Sequence, residues 1–265
     1  MNVEATMRNS VLSSIHRVDT KMDSVAEQLS TGKRELNAAE KGVVTRLNAD
    51  VSGYAAATSN INKSQGVVSV AQAALESVAD IVSEMKKLAT QSADGSTSAG
   101  DKDKLQETFA SLMSQIDDLV GSAEIDGVNL ISAAATDVVT QVGLSATDQF
   151  TISAQKTDVT TLGINALDIG SGGDASAAIT ALETAIGSVS ASQSSLSANN
   201  VGLESREKTI LSLSENLSET VSSIEDANLE QLRLDLEQLK TQKSVDLFLI
   251  GVINEQATSV LSIMR

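Results

Sequence analysis

No residue of this 265-residue chain is cysteine, proline or tryptophan. Without cysteine there is no disulfide framework, no thiol nucleophile and no thiolate metal site. His16 is the one histidine. That excludes a two-histidine metal motif, and no serine has a histidine partner placed for a catalytic triad. Aromatics are reduced to Tyr54, Phe109, Phe150 and Phe248. A proline inside a helix costs about 3 kcal/mol through a lost hydrogen bond and a clash with the preceding turn. Its absence from so long a chain permits very long uninterrupted helices. Residues Met1 to Ser10 are polar, with no apolar run leading to a small-residue cleavage site, so no Sec-type signal peptide is expected there. No stretch has the ~20 consecutive apolar residues of a membrane span.

What the chain has is leucine, isoleucine, valine and alanine at regular spacing, a mix that fills a seam between helices better than the thick core of an enzyme. Val3, Met7, Val11, Ile15, Val18, Met22, Val25 and Leu29 follow one another by four or three. They form one stripe on a first helix. Gly32 interrupts it. From Val44 to Ser92, Leu47, Tyr54, Ile61, Val68, Leu75, Val82 and Ala89 recur every seven residues. Ala57, Ser64, Ala71, Val78 and Met85 fill the second seam position. A sustained heptad is the coiled-coil signal, and this helix would be about 70 Å long at 1.5 Å per residue. Asp94-Gly95-Ser96 ends it. A third helix spans about Asp101 to Gly121, with Asp101 as N-cap and Leu105, Phe109, Leu112, Ile116 and Leu119 as its stripe.

Residues 127–170 change character. Short β-branched runs at Gly127, Val138 and Gln149 lie between Gly, Ser, Asp and Thr, and read as strands in hairpins. A fourth helix starts near Asp174. Leu182, Val189, Leu196, Leu203, Ile210, Leu217 and Ile224 again repeat every seven residues. Its second seam position holds Gln193, Asn200 and Glu207, and Gly202 is a local weakness. After Glu225-Asp226 a fifth helix carries Leu229, Leu232, Leu236, Leu239, Val245, Phe248, Val252, Ile253, Val260 and Met264. The fold class is therefore mainly α: a long coiled-coil helical bundle forming a rod, a small β-hairpin region, and terminal helices that can pair as a coiled coil.

Charge is uneven. Residues 92–230 hold 21 acids against 5 bases, and the rest of the chain holds 14 of each, so the middle carries the whole net charge of −16. This argues against nucleic acid as a partner, because phosphate binding needs a basic face. The pattern suits an acidic middle facing water and neutral ends that pack together. A pair of terminal helices buries too little surface to be stable alone, so copies would have to cover each other. Head-to-tail contacts of that kind build open filaments. A helical bundle that stays monomeric or dimeric fits the same periodicity.

Five short stretches resemble flagellin. Gln28-Leu-Ser-Thr-Gly-Lys-Arg-Glu-Leu-Asn-Ala-Ala is similar to that family's LSSGLRINSA, and Leu88-Ala-Thr-Gln-Ser-Ala to its LAVQSA. Asp126-Gly-Val-Asn-Leu-Ile resembles FNGVKLL, Ser223-Ile-Glu-Asp-Ala-Asn resembles RIEDAD, and Ser259-Val-Leu-Ser-Ile-Met-Arg265 resembles the closing VLSLLR. They occur in the family's order and cover about residues 3–132 and 174–265. The resemblance implies an inner terminal domain from residues 1–43 with 227–265, and a rod domain from 44–226 that includes the β region 127–170. It implies a structural subunit that polymerises into the flagellar filament for swimming, outside the cell, and not an enzyme. It also implies export by the flagellar type III apparatus without a cleaved signal. Implied partners are copies of itself, sister flagellins, a flagellin chaperone, the filament cap and hook-junction proteins, with no cofactor and no membrane. A hook–filament junction protein and a non-polymerising helical adaptor are the rivals.

Val11, Ile15, Val18, Leu29, Leu232, Leu236, Phe248, Ile253 and Leu261 are the expected polymerisation interface. Some positions depart from the family. Where many flagellins carry arginines read by a vertebrate innate immune receptor, this chain has Glu84-Met85-Lys86-Lys87, with Glu84 in place of an arginine. Asp117-Asp118 point to different faces of a helix and read as solvated surface. Asn62-Lys-Ser64 and Asn216-Leu-Ser218 match the N-glycosylation triplet but lie in predicted helices. Ser and Thr within 136–172 are the expected place for any O-linked sugar.

Overall fold

The computed structural model describes the backbone of residues 2–263 and the side chains of residues 5–256. Five helices and two small hairpins follow in the order α1 (Asn2–Thr31), α2 (Ala38–Ala93), α3 (Ala99–Ser122), β1 (Glu124–Ile125), β2 (Val128–Asn129), β3 (Val138–Gln141), β4 (Gln149–Ile152), α4 (Ala175–Glu225) and α5 (Leu229–Ile263). They divide into two compact units, Met1–Asn48 with Leu217–Arg265, and Ala49–Asn216.

The second unit is built on the heptad of α2. Ala57, Ile61, Ser64, Val68, Ala71, Leu75, Val78, Val82, Met85, Ala89 and Ser92 are all buried, an unbroken alternation of four and three. On α4, Ala178, Leu182, Ala185, Val189, Ser192, Leu196, Leu203 and Ile210 answer it. Phe109, Ile116 and Val120 of α3 complete the same core. Among the described residues α2 alone is long and apolar enough to cross a membrane. Its largest apolar side chains from Ile61 to Met85 lie in this seam, and exposed Asn62, Lys63, Glu76, Asp80 and Glu84 line its outer side.

Helix ends follow local chemistry. Asn37 and Glu40 cap α2 reciprocally: Glu40 N–H donates to Asn37 Oδ1 and Asn37 N–H to Glu40 Oε2, both at 2.9 Å. This is a capping box. At α3 the cap is Ser98 rather than the expected Asp101. Ser98 Oγ accepts from Asp101 N–H at 3.2 Å and donates to Asp101 Oδ2 at 2.7 Å, so Asp101 closes the box from inside the helix. Asp174 caps α4 through Ala177 N–H, and Asn228 caps α5 through Gln231 N–H.

The β region is smaller than its apolar runs suggest. Asp126 and Gly127, at φ 51° and 78°, turn β1 into β2. Two positive φ values match the right-handed twist of a two-residue hairpin. Leu130 and Ile131 then leave the strand and enter the core, their carbonyls accepting from Gln155 and Thr157 N–H. β3 pairs antiparallel with β4, with Thr140 opposite Phe150. Thr140 reaches the Ser64 hydroxyl at 2.5 Å, beneath the hairpin.

Gly202 is a seat rather than a weakness. A Cβ there would lie 2.9 Å from Phe150 Cζ, so glycine lets the ring of β4 settle on α4 without a shift. Arg206, one turn on, covers that ring at 5.1 Å from its centroid. Gly53 on α2 accepts the Leu144 side chain in the same way. Asp117 is not idle surface: its Oδ1 accepts from Val159 N–H at 3.1 Å and ties the long loop before α4 to α3.

Candidate assembly surface

The first unit is organised around two chain breaks that lie side by side. α1 ends where Gly32, at φ 70°, donates its N–H to the Gln28 carbonyl. Glycine takes that left-handed conformation without a Cβ penalty. Arg34 N–H donates to the Glu225 carbonyl at 2.8 Å and Ala227 N–H to the Gly32 carbonyl at 2.9 Å, making Lys33 and Asp226 an isolated antiparallel bridge. Side chains reinforce it. Lys33 pairs with Glu225, and Arg34 reaches both the Ile224 carbonyl and Glu40. The hydrogen bond to Glu225 raises the Lys33 ammonium above its ordinary value, and the one from Arg34 holds the Glu40 carboxyl below its own.

From this tie α1 and α5 pack along each other. Ser14 meets Asp246 and Asp19 meets Lys243, so the two helices run antiparallel. The face of α5 toward α1 reads Leu232, Leu236, Leu239, Lys243, Asp246, Ile250, Ile253, spaced by four and three. Its middle is polar. Asp246 is 9% exposed, and its Oδ2 accepts from Ser14 Oγ at 2.9 Å. Lys243 Nζ lies 2.7 Å from Asp19 Oδ1.

A second stripe runs down the side of α5 away from α1: Leu234, Gln238, Thr241, Val245, Phe248 and Val252, again spaced by four and three. Its distal half is apolar, with Val245 52% and Phe248 70% exposed and Val252 half-buried. Leu247 and Leu249 beside it are exposed too. Nearer the tie, Leu234, Glu237, Gln238, Thr241, Gln242 and Val245 line a shallow groove.

The expected interface residues therefore divide. Val18 is 3% exposed, buried within the chain itself. Val11, Ile15, Leu29, Leu232, Leu236 and Ile253 are half-buried in the first unit. Phe248 stands alone on the outer stripe, and the Leu261 side chain lies outside the described residues. Sequence reasoning missed Leu234, Val245, Leu247 and Leu249, and the polar layer of Ser14 and Asp246. Sorting α5 into two heptad phases would have separated them. His16 is exposed on α1. Among the described residues no cluster of three or more His, Asp or Glu side chains is placed to hold a metal ion.

Residues 4–136 match the family described as the bacterial flagellin N-terminal helical region. Flagellin FljK of Caulobacter vibrioides is 23% identical over 259 residues, covering 96% of this chain and 94% of that protein. A flagellin of Listeria innocua is 27% identical over 248 residues, covering 85% and 86%. Among solved structures, the flagellin of Bacillus cereus superposes with a TM-score of 0.52 at 25% identity, covering 57% of this chain and 88% of that one. A flagellar hook-associated protein of Vibrio parahaemolyticus shares the fold, with a TM-score of 0.61 at 14% identity over 71% of this chain and 98% of that one. The chain belongs to the bacterial flagellin family, a family of structural proteins, and is a structural subunit of the extracellular flagellar filament.

Proposed function

We propose that copies of the chain polymerise through the terminal helices, with residues 1–43 and 227–265 forming the inner layer of the filament and 44–226 forming a rod around it. The division into two compact units supports this reading. The observation that carries it is the uncovered apolar stripe on α5, centred on Val245 and Phe248. Val11, Ile15, Val18, Leu29, Leu232, Leu236 and Ile253 serve this surface from behind, by holding α1 and α5 together. Family membership further supports export by the flagellar type III route, a chaperone that shields α5 before export, and a cap that places each subunit. Absence of the chain from the medium of cells lacking that export apparatus would support the route, and its presence there would refute it.

The deciding experiment is electron microscopy of purified chain after seeding with sheared filament or adding a precipitating salt. Long filaments of uniform width are expected. Short rings from intact chain would point instead to a hook–filament junction protein. Soluble rods alone would point to an adaptor.

A further inference from the structure

The distal half of α5 is inside out by the usual rule for a packed helix. Toward α1 it presents Lys243 and Asp246, and away from α1 it presents Val245, Phe248 and Val252. A buried carboxylate and an ammonium in a two-helix seam weaken it relative to leucines at the same positions. What such groups can supply is discrimination between partners.

We propose that Asp246 and Lys243 mark one side of α5 as the place of the chain's own α1, and so direct a second copy of the chain to the opposite stripe. The inference rests on the assembly reading above. Its physical basis is that, among the described residues, each mark is answered on α1. Ser14 Oγ donates to Asp246 Oδ2 at 2.9 Å, and Asp19 Oδ1 lies 2.7 Å from Lys243 Nζ. The exposed distal part of another copy's outer stripe offers Val245 and Phe248, side chains with no donor for a carboxylate. A copy that displaced α1 would leave Asp246 buried and unpaired, which is strongly unfavourable. With apolar residues at 243 and 246, α5 would carry two apolar heptad stripes. Either could then accept α1 or a second copy, and subunits could exchange helices or join by the wrong face.

The test replaces both members of the buried pair, Ser14→Val with Asp246→Leu, in the full chain. Removing both partners leaves a matched apolar layer, so the chain folds and melts no lower than the parent. By sedimentation it is expected to self-associate at lower concentration than the parent, and to lose most of its seeded filament elongation. Asp246→Asn keeps an acceptor for Ser14 and is expected to behave as the parent in both assays. A stable double variant that sediments and elongates as the parent does would overturn the proposal, as would an Asp246→Asn chain that fails like the double variant. Phe248→Asp separates this from the assembly reading. Loss of elongation there, with an unchanged melting curve, supports the outer stripe as the copy-binding surface. Parent-like elongation would remove that reading itself.

Discussion

Exchanging Gly202 for alanine sets two effects of similar size against each other. Alanine is better than glycine inside a helix by about 1 kcal/mol, and α4 is continuous through this position. Against this, the new Cβ would stand 2.9 Å from Phe150 Cζ and 3.1 Å from Cε2. Carbon atoms at that separation overlap, so the ring must leave its seat. Phe150 is half-buried, and losing that cover costs roughly 1–2 kcal/mol. Arg206 loses its ring face as well, a further ~0.5–1 kcal/mol at an exposed site. The net expectation is a loss of about 1 kcal/mol for Gly202→Ala in the parent chain. In a Phe150→Ala background there is no ring to displace, and the same substitution should stabilise by about 1 kcal/mol. The coupling between the two positions is then about 2 kcal/mol, well above the scatter of independent sites. Urea unfolding reads it through Tyr54, the one tyrosine of a tryptophan-free chain, which packs against the core of the second unit. If Gly202→Ala stabilises equally in both backgrounds, the ring does not depend on the missing Cβ and the seat has no energetic meaning.

Three further outcomes follow from the geometry. Phe248→Ala should leave the unfolding curve of the free chain within about 0.5 kcal/mol of the parent, since its ring is mostly in water. It should raise the critical concentration for seeded growth about thirtyfold, the equivalent of ~2 kcal/mol of lost burial. Asn37→Ala removes the α2 cap and should cost about 1 kcal/mol in the unfolding of the first unit, while Asn37→Asp should retain most of it. Burial would raise the Asp158 carboxyl, but hydrogen bonds from the Thr161 hydroxyl and N–H outweigh it and hold the group below its ordinary value. A depressed folded-state value contributes stability that is present above the unfolded value, near ~3.9, and is lost as pH falls through the folded one. Acid titration of Asp158→Asn should therefore lack the part of the parent's destabilisation that falls below about pH 4. An unchanged acid limb would show that the carboxylate is not what Thr161 holds.

Periodicity carried most of the second unit. The four-three alternation on α2 runs from Ala57 to Ser92 without a break, and every position in it is buried. Heptads on α4 placed Leu182, Val189, Leu196, Leu203 and Ile210 in the core as expected. What periodicity did not carry is pairwise. Gly202 looks like a weak point until Phe150 is seen above it, and the two are far apart in sequence. Asp117 looks solvated until Val159 reaches it. Asp101 has the chemistry of a cap, but Ser98 reaches the helix start first, and a local pattern does not rank the two. Ile15→Asp, an obvious probe of polymerisation from sequence, would instead place a charge among the half-buried residues joining α1 to α5. Its effect would mix loss of the first unit with loss of assembly, whereas Phe248 tests assembly alone.

The two units differ in what their seams leave over. In the second, α2 and α4 each present one buried stripe, and α3 and the hairpins pack on the same core; Val201, Leu211 and Leu213 of α4 stay exposed but form no continuous stripe. In the first, α5 presents two stripes and α1 covers one of them. A helix seam without a partner is a demand for one, which is why the assembly proposed above is assigned to the first unit. Charge divides the chain in the same sense. The neutral ends can approach their copies closely, while the middle segment, residues 92–230, carries a net charge of −16 and repels its copies. Repulsion of that kind between exposed groups is screened within about 10 Å at 0.1 M salt. Added salt should therefore speed elongation of the parent chain without restoring Phe248→Asp, whose missing contact is apolar and lies outside the acidic segment.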